Sequence, residues 1–175
     1  MKWQDLINDG FGRVLEVLEP ALKRLTKEDL DRMPKPDCNS IGWIVWHLTR
    51  GQDAQIADLG KKGQVWVEDE WYTKFKRDVN PRDTGYGHSP EDVAAFKSPS
   101  PKILLDYYRA TLERTNQYLS SLTLEELDRK LDESWYSPPP TLGVRIISIM
   151  ADCLQHSGEV AYLRGLLKGK GWLEG

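Results

Sequence analysis

Two eight-residue segments limit the architectures open to this chain, because Leu25-Thr26-Lys27-Glu28-Asp29-Leu30-Asp31-Arg32 recurs as Leu122-Thr123-Leu124-Glu125-Glu126-Leu127-Asp128-Arg129. Each follows a stretch with apolar residues at helical spacing. The first stretch carries Trp3, Leu6, Ile7, Phe11, Val14, Leu15, Leu18, Leu22 and Leu25, and the other carries Ile103, Leu104, Tyr107, Leu112 and Leu119. Each segment also precedes a small-residue helix start, Ser40-Ile41-Gly42 or Thr141-Leu142-Gly143. A capping box would explain either segment alone. Eight aligned positions argue instead for two similar helical hairpins, and so for an all-α, pseudo-symmetric four-helix bundle forming a single domain over residues 1–175.

The expected helices run through about the first 25 residues, with a kink at Pro20; from Ile41 to about Leu59, stopped by Gly60; from Pro101 to about Leu122; and from about Thr141 to Lys168, ended by Gly169. Asn39 and Ser40 are good N-caps for the second. Between Lys61 and Pro101 the periodicity breaks into Gly, Pro and aromatic residues, among them Trp66, Trp71, Tyr72, Phe75, Tyr86 and Phe96. A connection this long is read either as a cover over a site or as a solvated insertion packed by its own aromatics.

Composition closes several alternatives. A net charge of -3 with scattered Lys and Arg offers no basic stripe, so a nucleic-acid partner is not expected. No apolar run is long enough to span a bilayer and no leader pattern is visible, so no membrane partner and a cytoplasmic location are expected. Cys38 and Cys153 are too few for a disulfide framework and are read as reduced thiols.

Chemistry concentrates on the second and fourth helices. Asp152 and His156 stand four residues apart, so both side chains leave one helix face a turn apart and can close on one ion. Ile149, Cys153, Val160 and Leu163 flank them, which places an ionised Asp152 in poorly hydrated surroundings that call for a counter-charge. His47 is set similarly among Trp43, Ile44, Gly51 and Ala54, and Gly51 leaves room for an approaching group. Facing helices would join His47, Asp152 and His156 into a two-His, one-carboxylate metal site with open coordination positions. Zinc, nickel or iron would be served by it. Plainer meanings stand beside this one, since a single His on an apolar face is more often a hydrogen-bonded core residue and an Asp-x-x-x-His pair can be a surface ion pair.

Other residues are open to two readings. His88, in Gly85-Tyr86-Gly87-His88, is a candidate fourth ligand if the long connection folds over the site. Arg164 could hold an anionic substrate group or simply end a helix, and Gln155 and Glu159 are equally ambiguous. Trp43, Trp46, Trp66, Trp71 and Trp135 could line a pocket or belong to the core. Cys153 is packing or a ligand, and Ser148 and Ser157 have no evident general base.

The run Ser40-Ile41-Gly42-Trp43-Ile44-Val45-Trp46-His47-Leu48, and still more Asp152-Cys153-Leu154-Gln155-His156-Ser157-Gly158-Glu159 continuing through Tyr162-Leu163-Arg164-Gly165, resembles the DinB/YfiT-like superfamily of metal-binding four-helix bundles. That group includes a domain of mycothiol-dependent maleylpyruvate isomerase. The resemblance covers essentially the whole chain, and it implies metal ligands at His47, Asp152 and His156. Many relatives have His, and the isomerase has Glu, where this chain has Asp152. It further implies a divalent metal, zinc or nickel before iron, and chemistry with a low-molecular-weight thiol such as bacillithiol or mycothiol. The expected function is a metal-dependent transferase or isomerase acting on a small electrophile; the alternative is a non-catalytic metal-binding stress-response protein. A small-molecule substrate or thiol is the expected partner, and a homodimer is compatible with the sequence.

Overall fold

The computed structural model describes residues 1–133, 137–169 and 171–172. Four long helices build the bundle: α1 (Trp3–Leu22), α3 (Ile41–Gly60), α7 (Pro101–Ser121) and α8 (Leu142–Lys168). Between α1 and α3 lies the short α2 (Lys27–Asp31), and α4 (Val65–Glu68), α5 (Trp71–Phe75) and α6 (Pro90–Ala95) lie between α3 and α7. A 3-10 turn, Glu125–Asp128, precedes α8. No helix among the described residues is long and apolar enough to cross a membrane.

Both α1 and α3 pack on α7 and α8, so the four helices form a square in which α3 and α8 are neighbours. Buried Phe11, Val14, Leu18, Trp46, Leu48, Tyr107, Tyr108, Ile149, Cys153 and Val160 fill its centre. Helix starts are fixed by hydroxyl caps, Ser40 accepting from Trp43 N–H, Ser100 from Ile103 N–H and Thr141 from Val144 N–H. Pro20 sits inside the last turn of α1. Gly60 belongs to α3, and the left-handed residue that ends this helix is Lys61, at φ 49°.

The repeated segments do equivalent work. Thr26 and Thr123 each cap a turn through Asp29 and Glu126, and these turns pack on the starts of α3 and α8 respectively. The correspondence reaches single atoms: a Cβ on Gly42 would lie 3.3 Å from Leu30 Cβ, and one on Gly143 would lie 3.3 Å from Leu127 Cβ. Leu30 and Leu127 hold the same place in the repeat.

The connection from Lys61 to Pro101 is not a featureless loop. Pairings of Asp53 with Tyr107 and of Leu59 with Tyr118 show α3 and α7 running in the same direction, so the chain must return along the bundle between them. A 20-residue helix spans about 30 Å, which accounts for the length of the crossover. The crossover does not pack on itself alone. Trp66, Trp71, Phe75 and Phe96 are buried in the main core, with Trp66, Trp71 and Phe75 within 5.3–5.6 Å of the Tyr107 ring. Trp43, Trp46, Trp66 and Trp71 are therefore core residues rather than the lining of an open pocket, and Trp135 lies outside the described residues.

Candidate functional site

Because α3 and α8 are neighbours, His47 faces His156, and their rings meet edge to face with centroids 5.0 Å apart. Asp152 joins them, its Oδ1 3.6 Å from His156 Nε2. A Cβ on Gly51 would sit 4.0 Å from Asp152 Oδ2, in ordinary van der Waals contact, so Gly51 lies directly beside the carboxylate. The three residues singled out by spacing are thus brought to one place. Among the described residues, no group of three or more His, Cys, Asp or Glu side chains is already spaced to hold a metal ion. A rotation of at least one side chain is needed before the three could share one.

The donor chemistry of the site fits a cation. His47 Nδ1 is 2.5 Å from the Thr84 carbonyl oxygen, and His156 Nδ1 is 2.8 Å from a Glu159 carboxylate oxygen. A carbonyl and a carboxylate can only accept, so each Nδ1 carries the hydrogen, and in the neutral ring the lone pair is then at Nε2. This is the way a metal-binding imidazole is commonly oriented by its surroundings. Burial pushes the pKa of His47 below its ordinary value, which keeps the ring neutral at neutral pH.

Asp152 differs from the expectation of poor hydration. Its side chain is 49% exposed, because the neighbours Ile149, Cys153 and Val160 turn into the core while Asp152 stays at the edge of α8. Desolvation therefore supplies no demand for a counter-charge. What the exposed position gives is freedom to rotate.

His88 is fully engaged elsewhere. Its Nδ1 accepts from the Trp43 indole N–H at 3.1 Å, its Nε2 lies 3.1 Å from Asp83, and its ring stacks on Trp46. With its lone pair committed to Trp43 it works as a strut under the crossover and not as a fourth ligand. Cys153 is buried against Leu48 and Gln52, and burial pushes its thiol far up, so it packs as an apolar residue. Ser148 and Ser157 bond back to carbonyls of their own helix. Glu159 is resolved as the partner of His156, and Arg164 lies away from the site in a separate cavity.

Spacing gave no hint of the groups that hold the crossover against His47. Gly85 has φ +86°, and a Cβ there would lie 2.9–3.0 Å from Trp43, Trp46 and His47. Only glycine meets both demands. Asp83 bonds Arg77 at 2.8 Å and the Gly85 N–H at 3.3 Å, fixing the turn that presents the Thr84 carbonyl. Beneath it, wholly buried Arg50 donates to the carbonyls of Asp83 and Pro81 and to Gln64, and pairs with Asp53. Asp53 in turn accepts from the N–H groups of Val65 and Trp66 and from the Tyr107 hydroxyl, each at 2.8 Å. Arg50 and Asp53 are the exception, since an oppositely charged pair three residues apart on a mostly apolar helix was visible in the sequence.

Beside the site, on the Glu159 side, the surface is hollowed, although none of the three candidate ligands lines the hollow. A groove of about 910 Å³ runs past Glu159, lined by Ile44, Tyr162, Leu163 and Leu166 on the helices and rimmed by Pro34 and Cys38. The crossover does not form this rim; it covers the Nδ1 edge of His47 instead.

The model of the DinB superfamily matches residues 11–160. The crystal structure of a conserved protein from Enterococcus faecalis superimposes with a TM-score of 0.89 at 32% identity, covering 97% of this chain and 99% of that one. Comparison with curated proteins gives no match.

Proposed function

Starting from the fact that this chain belongs to the DinB superfamily, we propose that it binds one divalent metal ion through His47, Asp152 and His156 and uses it in thiol-dependent transfer or isomerisation of a small electrophile. The observation that carries this reading is the pair of hydrogen bonds from Nδ1, to Thr84 and to Glu159, which turns two neighbouring imidazoles into lone-pair donors at Nε2. Asp152 would add the carboxylate that offsets the charge of the ion. Zinc or nickel suits such a mixed nitrogen and oxygen set best, and iron is also compatible.

When bound there, a divalent ion would lower the pKa of a thiol held in its open position, making thiolate available at neutral pH. The chain's own residues do the rest. Thr84 and Glu159 hold the imidazoles in one tautomer, and the Trp43 ring, stacked on His47 at 4.7 Å, prevents its rotation. His88 is committed to Trp43 and Asp83, which favours an open site over one closed by a fourth imidazole. The groove beside Glu159, with Ile44, Leu163 and Leu166, would take the apolar part of a thiol or substrate.

The test is a titration of cobalt-substituted protein with small thiols, read by absorption. Sulfur-to-metal charge-transfer bands should appear and saturate, and should be absent in His47→Ala. A spectrum unmoved by every thiol, in protein that does hold cobalt, would reduce the reading to a non-catalytic metal site.

A further inference from the structure

The helices α1 and α8 end side by side, and there Lys23, Arg24, Arg164 and Lys168 line a cavity of about 210 Å³ together with Pro20 and Trp172. Four cations thus converge in a chain whose net charge is -3. Among the described residues, two acids at this end of the bundle are already committed. Asp29 pairs with Lys168 at 2.7 Å, and Glu19 pairs with Arg109 at 2.7 Å. Among the described residues, the side chains of Lys23, Arg24 and Arg164 have no hydrogen-bond or ion-pair partner, and Arg164 Nε and Nη1 are closed off from solvent with no acceptor. A buried N–H without an acceptor costs free energy, and crowding like charges adds to that cost. The C-terminal ends of α1 and α8 bring partial negative charge, but they do not supply the missing acceptor.

We infer that this cavity is a binding site for a small oxyanion, a phosphoryl or carboxylate group. The fork of Arg164, turned into the cavity about its terminal torsions, meets two oxygens of such a group side by side. Lys23 and Arg24, both exposed at the end of α1, close over it from outside. Lys168 remains with Asp29 and contributes charge rather than a bond. The site is distinct from the histidine pair, since Arg164 lies two turns beyond His156 on α8 and neither histidine lines the cavity.

Isothermal titration with inorganic phosphate, and separately with acetate, at fixed ionic strength tests the inference. Wild type should take up one anion per chain, and Arg164→Met should weaken binding about tenfold or more. Arg164→Lys should retain more affinity than Arg164→Met. Arg13→Met, remote on α1 and paired with Asp9, should bind as wild type does. Should Arg164→Met fail to fold, the double variant Lys23→Met/Arg24→Met replaces only exposed side chains and should lose affinity several-fold. Binding of phosphate without acetate assigns a phosphoryl group, and binding of acetate alone a carboxylate. No binding of either anion, or equal binding by wild type and Arg164→Met, would overturn the site.

Discussion

At the scale of single residues, the site depends on backbone groups that side-chain spacing does not reveal. The chemical state of His47 is set by the carbonyl of Thr84, and Thr84 is held in place by the turn at Gly85. Replacing Gly85 with Ala places a Cβ against three aromatic rings at a φ of +86°. The left-handed backbone costs roughly 1–2 kcal/mol and overpacking roughly 1–3 more, so the variant should lose about 2–5 kcal/mol in urea unfolding. A Gly85→Ala protein as stable as wild type would show that the turn is not strained against His47. That His47, Asp152 and His156 would come together was legible in the sequence because a helix converts spacing into direction, and a neighbouring helix then brings one face onto another. Hydration of Asp152 was not legible, since position on a helix gives the azimuth of a side chain but not the depth of the neighbouring element. The role of His88 was not legible either, because a ligand and a strut have the same local sequence.

Among the elements, the four long helices could be read because each holds its apolar period over 20 residues or more. The short helices α4, α5 and α6 span 4, 5 and 6 residues, too few for any period to show. What orders the crossover is not propensity but tertiary anchoring, through buried aromatic rings and the ion pair of Arg50 with Asp53. Removing one partner of a buried pair leaves a charge without compensation. Arg50→Met should therefore cost about 3–5 kcal/mol and free the crossover near Pro81 and Asp83, where Arg50 now binds both carbonyls. Limited proteolysis should show new cleavage between residues 77 and 89 in the variant. Cleavage there at the wild-type rate would mean that the aromatic residues alone hold the segment.

Over the whole molecule, the two hairpins are tied at one end by the ion pair of Asp29, at the start of the bundle, with Lys168 at its finish. The Lys168 ammonium, with the Thr26 N–H, holds the Asp29 carboxyl below its ordinary pKa. The unfolded chain therefore takes up this proton first as pH falls. The contribution of Asp29 is complete above about pH 4, the unfolded pKa, and is lost as pH falls further through the folded value. Asp29→Asn should be less stable than wild type by about 1–3 kcal/mol at pH 7, and urea unfolding should show that difference closing below about pH 4. A gap that does not depend on pH would assign the loss to packing. The central claim concerns the ion. Protein equilibrated with excess zinc, desalted and analysed for metal should carry one zinc per chain in wild type and in Asp152→Glu, and none in His47→Ala or His156→Ala. Wild-type protein that keeps no metal, or both histidine variants keeping as much as wild type, would contradict it.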